Sequence, residues 1–281
     1  MSAQPVLFEM EPSVVVPARV GMARVTRRRV KQILTKATGS LSGFDFTINP
    51  YVGCSFACEY CYAAFFQPDE EKVRDWGYWV EVKENALDLL KCEHRLAGSR
   101  VYMGSVTDPY QPVEKTTRLT RSLVEHMATL RPQPNLVVQT RSPIAARDID
   151  LFLRFDKLRV NMSVTTDDDV VRKRYEPSCA SIERRLEAVK KMADAGVATS
   201  LSLCPLLPVS DVDQFAKTIK ASGAGRIWTG YFHPGTRKFA AGTRENALVL
   251  AKEDGWNFER YIETVTQLKK LLPELVGGDL D

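Results

Sequence analysis

From residue 44 onward the chain alternates short, nearly continuous apolar runs with longer stretches whose apolar positions recur every three or four residues. The runs are rich in β-branched residues and predict strands over 46–49, 101–105, 136–140, 160–165, 197–205 and 227–232, of the kind buried on both faces. The periodic stretches predict helices over 83–96, 119–130, 145–155, 181–195, 211–222 and 257–272. Leu119, Leu123, Met127 and Leu130 fall on one helical face. Ser181 and Gly196 have the chemistry to start and stop the fourth helix, and Pro273 closes the last. Strands alternating with helices predict a parallel α/β architecture. The expected fold is a partial (β/α)6 TIM-like barrel over 44–281 with a C-terminal helix, preceded by a basic N-terminal extension over 1–43.

Composition leaves this picture standing: of 281 residues 44% are hydrophobic and 26% charged, as in globular domains. No run of about 18 apolar residues predicts a membrane span. The opening residues lack a basic stretch ahead of an apolar one, so no signal peptide is read, and a cytoplasmic location is expected. In that compartment six cysteines are expected as metal ligands or reactive thiols rather than disulfides. Charge is unevenly spread. No acidic residue lies between Glu11 and Asp45, where Arg19, Arg24, Arg27, Arg28, Arg29, Lys31 and Lys36 bring +7 against a chain total of +4. The segment from Arg19 to Lys36 reads either as a phosphate-facing arm for nucleic acid or as a solvated leader. The first twenty residues are expected to be loosely packed.

The candidate chemistry sits after the first predicted strand. Cys54, Cys58 and Cys61 form a Cys-x3-Cys-x2-Cys loop, on the side of an α/β sheet that usually carries function. Three thiolates can hold three irons of a [4Fe–4S] cube and leave the fourth iron open. Such an iron can chelate the amine and carboxylate of a small molecule and pass it one electron. A closed zinc site wants four ligands, and the nearest histidine in sequence is His94.

With Tyr60 before its last cysteine, this loop resembles the motif of the radical SAM superfamily. The longer string NPYVGCSFACEYCYA is similar to the spore photoproduct lyase-like branch, and the similarity runs on through GSVTDPYQPVE, QTRSPIAARDIDLF and MSVTTDDDVVRKRYEPS to LCPLLPVSDVD. The resemblance implies a [4Fe–4S] cluster on Cys54, Cys58 and Cys61 with S-adenosyl-L-methionine on its fourth iron. It implies an electron from a flavodoxin or ferredoxin, release of methionine, and a 5′-deoxyadenosyl radical that abstracts hydrogen from a substrate.

Polar residues at the predicted strand ends are candidates to hold that cofactor: Thr107 and Asp108, Arg141, Ser163 and Thr165, together with Tyr60. The resemblance implies cofactor contact at Thr107 and a cation at Arg141. The ordinary readings beside these are a turn and helix cap at 107–108, a surface ion pair of Arg141 with Asp148 or Asp150, and satisfied core hydroxyls. One of Arg184 and Arg185, which follow Glu176 and Pro177, is expected to face the site. Tyr62 matches a tyrosine implicated in radical transfer, or packs on the cluster. The branch's lyase carries a hydrogen-donating cysteine in the segment matching 105–108. Here Ser105 stands in that segment, and an O–H bond is too strong to quench a carbon radical, so activity on the spore photoproduct itself is not expected. Cys204, ending the fifth strand, is the replacement candidate. Cys179 and Cys92 are read as inert core thiols and His233 as structural. The expected function is radical chemistry on a substrate, with nucleic acid first, a peptide or small metabolite second, and a non-catalytic iron–sulfur sensor of nucleic acid as the reading from another class.

Overall fold

A computed structural model describes residues 14–235 and 238–277. Its strands are β1 (Arg19–Val20), β2 (Ala23–Arg28), β3 (Leu34–Lys36), β4 (Phe46–Ile48), β5 (Tyr51–Val52), β6 (Trp79–Lys83), β7 (Arg100–Met103), β8 (Asn135–Thr140), β9 (Leu158–Ser163), β10 (Thr199–Leu203), β11 (Ile227–Thr229) and β12 (Leu275–Gly277). The main sheet has the order β12-β11-β10-β9-β8-β7-β4-β3. All its ladders are parallel except the one that joins β3 to β4. Helices at Leu119–Thr129, Ile182–Asp194, Val212–Ala221 and Phe258–Leu271 connect successive strands. The mixed α/β fold with a parallel sheet is therefore as expected. Among the described residues no ladder joins β3 to β12, and these are the two edges.

Register shows how each face of the sheet is used. Val101 pairs with Leu136, Val138 with Val160, and Met162 with Leu201. All are buried, and together they make the apolar layer. The residues that alternate with them are polar. Tyr102 Oη donates to Gln139 Oε1 (2.9 Å), Gln139 Nε2 donates to Ser163 Oγ (2.9 Å), and Ser200 Oγ bonds Asn161. The expectation of strands apolar on both faces is corrected here, because the inner face is a hydrogen-bonded polar layer. Satisfied partners make such a layer tolerable in an interior.

The basic segment is not a free arm. β3 is an edge of the main sheet, and β2 pairs parallel with β6 in a second sheet of order β1-β2-β6-β5. Arg28 faces Glu81 at 2.6 Å, while Arg27 and Arg29 face Glu84 at 3.3 and 3.9 Å. The expectation of a loosely packed start falls partly on residues 1–13, which lie outside the described residues. Further on, Ala23 and Val25 are buried.

The helix expected over 83–96 is instead β6, a short helix at Ala86–Lys91 and a turn at His94–Leu96. Alternation in Trp79-Val80-Glu81-Val82-Lys83, with Val80 and Val82 buried, makes a strand. The stretch 145–155 is mostly a tight 3-10 turn, Pro143–Asp148, then one α-turn at Ile149–Phe152. Pro143, after the Ser142 cap, fixes that start. A helix at Glu245–Glu253 has no counterpart in the sequence reading. No helix among the described residues is long and apolar enough to cross a membrane.

Candidate functional site

The cysteine loop leaves the C-terminal end of β4 and is held from three sides. Thr107 Oγ1 donates to the Gly53 carbonyl at 2.6 Å. Gln111 Nε2 donates to the same oxygen at 3.2 Å, and Gln111 Oε1 accepts from Ser55 N at 3.0 Å. Glu59 N donates to the Tyr175 carbonyl at 2.9 Å. Gly53 has φ +77°, and a Cβ there would stand 2.7 Å from the Trp79 carbonyl oxygen, so only glycine fits. Cys54 and Cys58 are buried and Cys61 is half-buried. All three line one cavity of about 280 Å³ over the C-terminal ends of β7 to β11.

A buried charge cluster supports this loop. The fully buried carboxylate of Glu176 accepts from Arg141 Nη1 (2.8 Å), Thr165 Oγ1 (2.8 Å), Tyr60 Oη and Arg185 Nη2. Burial alone would raise the Glu176 pKa, but the guanidiniums of Arg185 and Arg141 outweigh it and bring it to about 2. Arg141 and Arg185 bring positive charge to Cys58, while the buried Asp108 carboxylate, which lines the same cavity, acts on Cys54 in the opposite sense. Cys179 Sγ lies 3.8 Å from Cys58 Sγ. Its hydrogen bond, helped by Arg141 and Arg185, lowers the Cys58 thiol pKa against the effect of burial. Burial pushes Cys54 well up and Cys61 to about 11. Without metal these two would stay protonated near neutrality, whereas coordination deprotonates a thiol outright.

The residues singled out from sequence separate into those that face the cavity and those that hold them there. Arg141, Ser163, Tyr60, Tyr62 and Cys204 line it. Thr107 and Asp108 also reach it, yet their atoms are engaged. Thr107 is committed to the Gly53 carbonyl, and Asp108 accepts from Tyr110 N (2.8 Å), Thr140 Oγ1 (2.7 Å) and Arg141 N (2.8 Å). Thr165 is fully buried against Glu176 and lines no part of the cavity. β9 ends at Ser163, so strand alternation does not carry on to Thr165. Of the two candidate arginines Arg185 is the buried one. Arg141 pairs with Glu176, not with Asp148 or Asp150, which Arg121 and, at Asp148, Arg147 occupy. Tyr62 Oη donates to the Ser105 carbonyl, and its ring meets His233 edge-on at 5.3 Å, so His233 belongs to the cavity wall. Burial holds the Cys204 thiol at about 11, in its protonated form.

Two neighbours of the loop stand out in the fold: Cys179, read from sequence as an inert core thiol, and Trp76, not singled out there. Cys179 lies far along the chain from Cys58, and only the fold joins them. Trp76 Nε1 is buried, lacks a hydrogen-bond partner among the described residues, and belongs to a side chain lining the same cavity. An orphan donor there suits a sulfide or cofactor acceptor. Among the described residues no three His, Cys, Asp or Glu side chains converge on a single-ion site, although three thiols line one cavity. Three thiols on one loop suit a cube with one thiolate per iron better than a closed tetrahedral zinc site, which wants four ligands.

Residues 48–221 match the family model of the radical SAM superfamily. An uncharacterised protein of Methanocaldococcus jannaschii is 34% identical over 168 residues, covering 60% of this chain and 62% of that protein. One from Mycobacterium tuberculosis is 28% identical over 197 residues, covering 64% and 56%. The matched region thus spans about three fifths of the length of these relatives. Spore photoproduct lyase complexed with dinucleoside spore photoproduct superposes with TM-score 0.61 at 14% identity, covering 93% of this chain and 85% of that one. A lyase variant with bound AdoMet and the dinucleoside gives 0.59 at 15% identity, over 93% and 85%. At these identities the likeness concerns the fold.

Proposed function

Because the chain belongs to the radical SAM superfamily, we propose that Cys54, Cys58 and Cys61 hold a [4Fe–4S] cluster whose open iron takes S-adenosyl-L-methionine. When bound, that pair supplies a 5′-deoxyadenosyl radical able to take hydrogen from a substrate. The observation that carries this reading is three thiols on one pinned loop, facing one cavity beside the Arg141 guanidinium.

The chain's own residues have separate tasks. Arg141 spends Nη1 on Glu176 and Tyr60. Its other guanidinium donors have no partner among the described residues and serve the methionine carboxylate. Ser163 Oγ accepts from Gln139, which leaves its own proton for a ribose oxygen. Thr107 and Asp108 act by position, the first on the loop and the second on the end of β8. Tyr62, Phe232 and His233 form an aromatic wall that excludes water. Cys204 is the hydrogen-atom donor: its S–H bond breaks as a substrate C–H bond forms, and the thiyl takes a hydrogen atom back through the Tyr62 O–H, drawn in turn from the 5′-deoxyadenosine formed in the same turnover. A flavodoxin or ferredoxin supplies the reducing electron.

For substrate, nucleic acid is the first reading, in modification or repair, supported by the fold shared with a lyase that binds a dinucleoside. The basic segment adds less than its charge suggests, because Glu81 and Glu84 oppose three of its arginines. Ser105 in place of the lyase thiol favours the second reading, a peptide or small metabolite. The test is anaerobic reconstitution, then dithionite and S-adenosyl-L-methionine, with 5′-deoxyadenosine quantified. Its formation is expected. An iron-loaded chain that makes none would favour the sensor reading. Cys204→Ala should keep 5′-deoxyadenosine formation and lose hydrogen return to substrate, read as uncoupled turnover once a substrate is in hand. Coupling equal to wild type would remove Cys204 from the mechanism.

A further inference from the structure

The opposite end of the sheet carries a second cavity of about 910 Å³, at the N-terminal ends of β8 to β11. Its lining is cationic. Arg159 opens β9, Arg226 precedes β11, and Lys157 and Arg100 stand at the rim. Asp156 is the acidic residue that lines it, and Arg100 is already paired with Asp45 at 3.1 Å.

Register puts the two central arginines on one face. Asn161 pairs with Ser200, and Ser202 with Trp228. Arg159 and Arg226 each lie two residues before members of these pairs, so both project from the polar inner face. Neither guanidinium has a hydrogen bond or ion pair among the described residues, and Arg159 Nε is itself buried with no partner. Thr199 also borders the cavity, but it pairs with Val160 and so projects from the opposite face of the sheet. Burial and the nearby Arg226 charge both lower the Arg159 pKa, so the two cations repel one another. Half-buried and unpaired beside the exposed Arg226, Arg159 costs stability and contributes none. The pair is what an anion site looks like without its anion.

We propose that this mouth is a phosphate-binding site, with Arg159 and Arg226 gripping the anion. Guanidinium forks match phosphate oxygens bidentately. The phosphate arrives either as a monoester on a free metabolite or as a phosphodiester of a polynucleotide. The site is distinct from the cysteine cavity, so its fate is independent of the radical chemistry.

The test is calorimetric titration of the cluster-loaded full chain at constant ionic strength, with inorganic phosphate, a nucleoside monophosphate and a single-stranded oligonucleotide as three arms. Saturable binding in at least one arm is expected, weakened about tenfold by Arg159→Gln and again by Arg226→Gln, with iron content unchanged. Binding confined to the first two arms identifies a free phosphate. Binding confined to the oligonucleotide, falling steeply with salt, identifies a backbone phosphodiester. Arg226 is exposed, so its variant folds even if Arg159→Gln does not. No saturable binding in any arm, or binding that Arg226→Gln leaves untouched, would overturn the site.

Discussion

Glu176→Gln is expected to lower the stability of the fold by about 3–5 kcal/mol, the scale for removing one member of a buried charge pair. The carboxylate is fully buried and is the shared partner of Arg141 and Arg185. Glutamine keeps the shape and some hydrogen bonds but leaves two guanidiniums in the interior without their counter-charge. Typical domains hold about 5–15 kcal/mol in total, so a large part of the margin would go. The urea midpoint reads this directly, and a loss under about 1 kcal/mol would mean that solvent reaches the cluster of charges. The same carboxylate has a defined pH signature. Its pKa is about 2 in the fold against an ordinary 4.5. Its stabilisation is therefore complete above that ordinary value and is lost as pH falls toward 2. From this group stability should be flat from about pH 6 to 8 and fall on acidification.

Cys58→Ala is expected to abolish both iron retention and 5′-deoxyadenosine formation, an all-or-none effect. Two thiolates, those of Cys54 and Cys61, cannot hold three corners of a cube. Cys179 is the informative contrast. It sits 3.8 Å from Cys58 Sγ and hydrogen-bonds to it without belonging to the loop, so Cys179→Ala should retain iron. Iron kept in Cys58→Ala and lost in Cys179→Ala would exchange the roles of the two thiols.

What the sequence made legible is what is local. The cysteine spacing is seven residues of chain, and the parallel strands are short β-branched runs whose outward halves, such as Val101, Val138 and Val160, lie in the apolar layer. β2 was hidden because ARVTRR reads first as charge. Its buried Ala23 and Val25 alternate with exposed Arg24 and Thr26, and Arg27 and Arg28 beyond them lean on Glu84 and Glu81, just past and within a strand far along the chain. β6 was hidden because its five residues run straight into a helix-forming stretch. Arg141 was legible as a cation near the site, but its partner was not. Asp148 and Asp150 are close in sequence, while Glu176 is brought in at the C-terminal cap of the helix Asp169–Tyr175 that follows β9. Cys179 beside Cys58, the orphan indole of Trp76 and the polar inner face all depend on contacts between segments far apart in the chain.

The most direct test of the open-iron account is electron paramagnetic resonance of the anaerobically reconstituted, dithionite-reduced chain, recorded before and after S-adenosyl-L-methionine. The account predicts a reduced [4Fe–4S] signal whose g-values shift on addition, because the ligand binds the iron that the protein leaves free. A signal that does not move would contradict it, as would a chain that takes up zinc and holds neither iron nor sulfide.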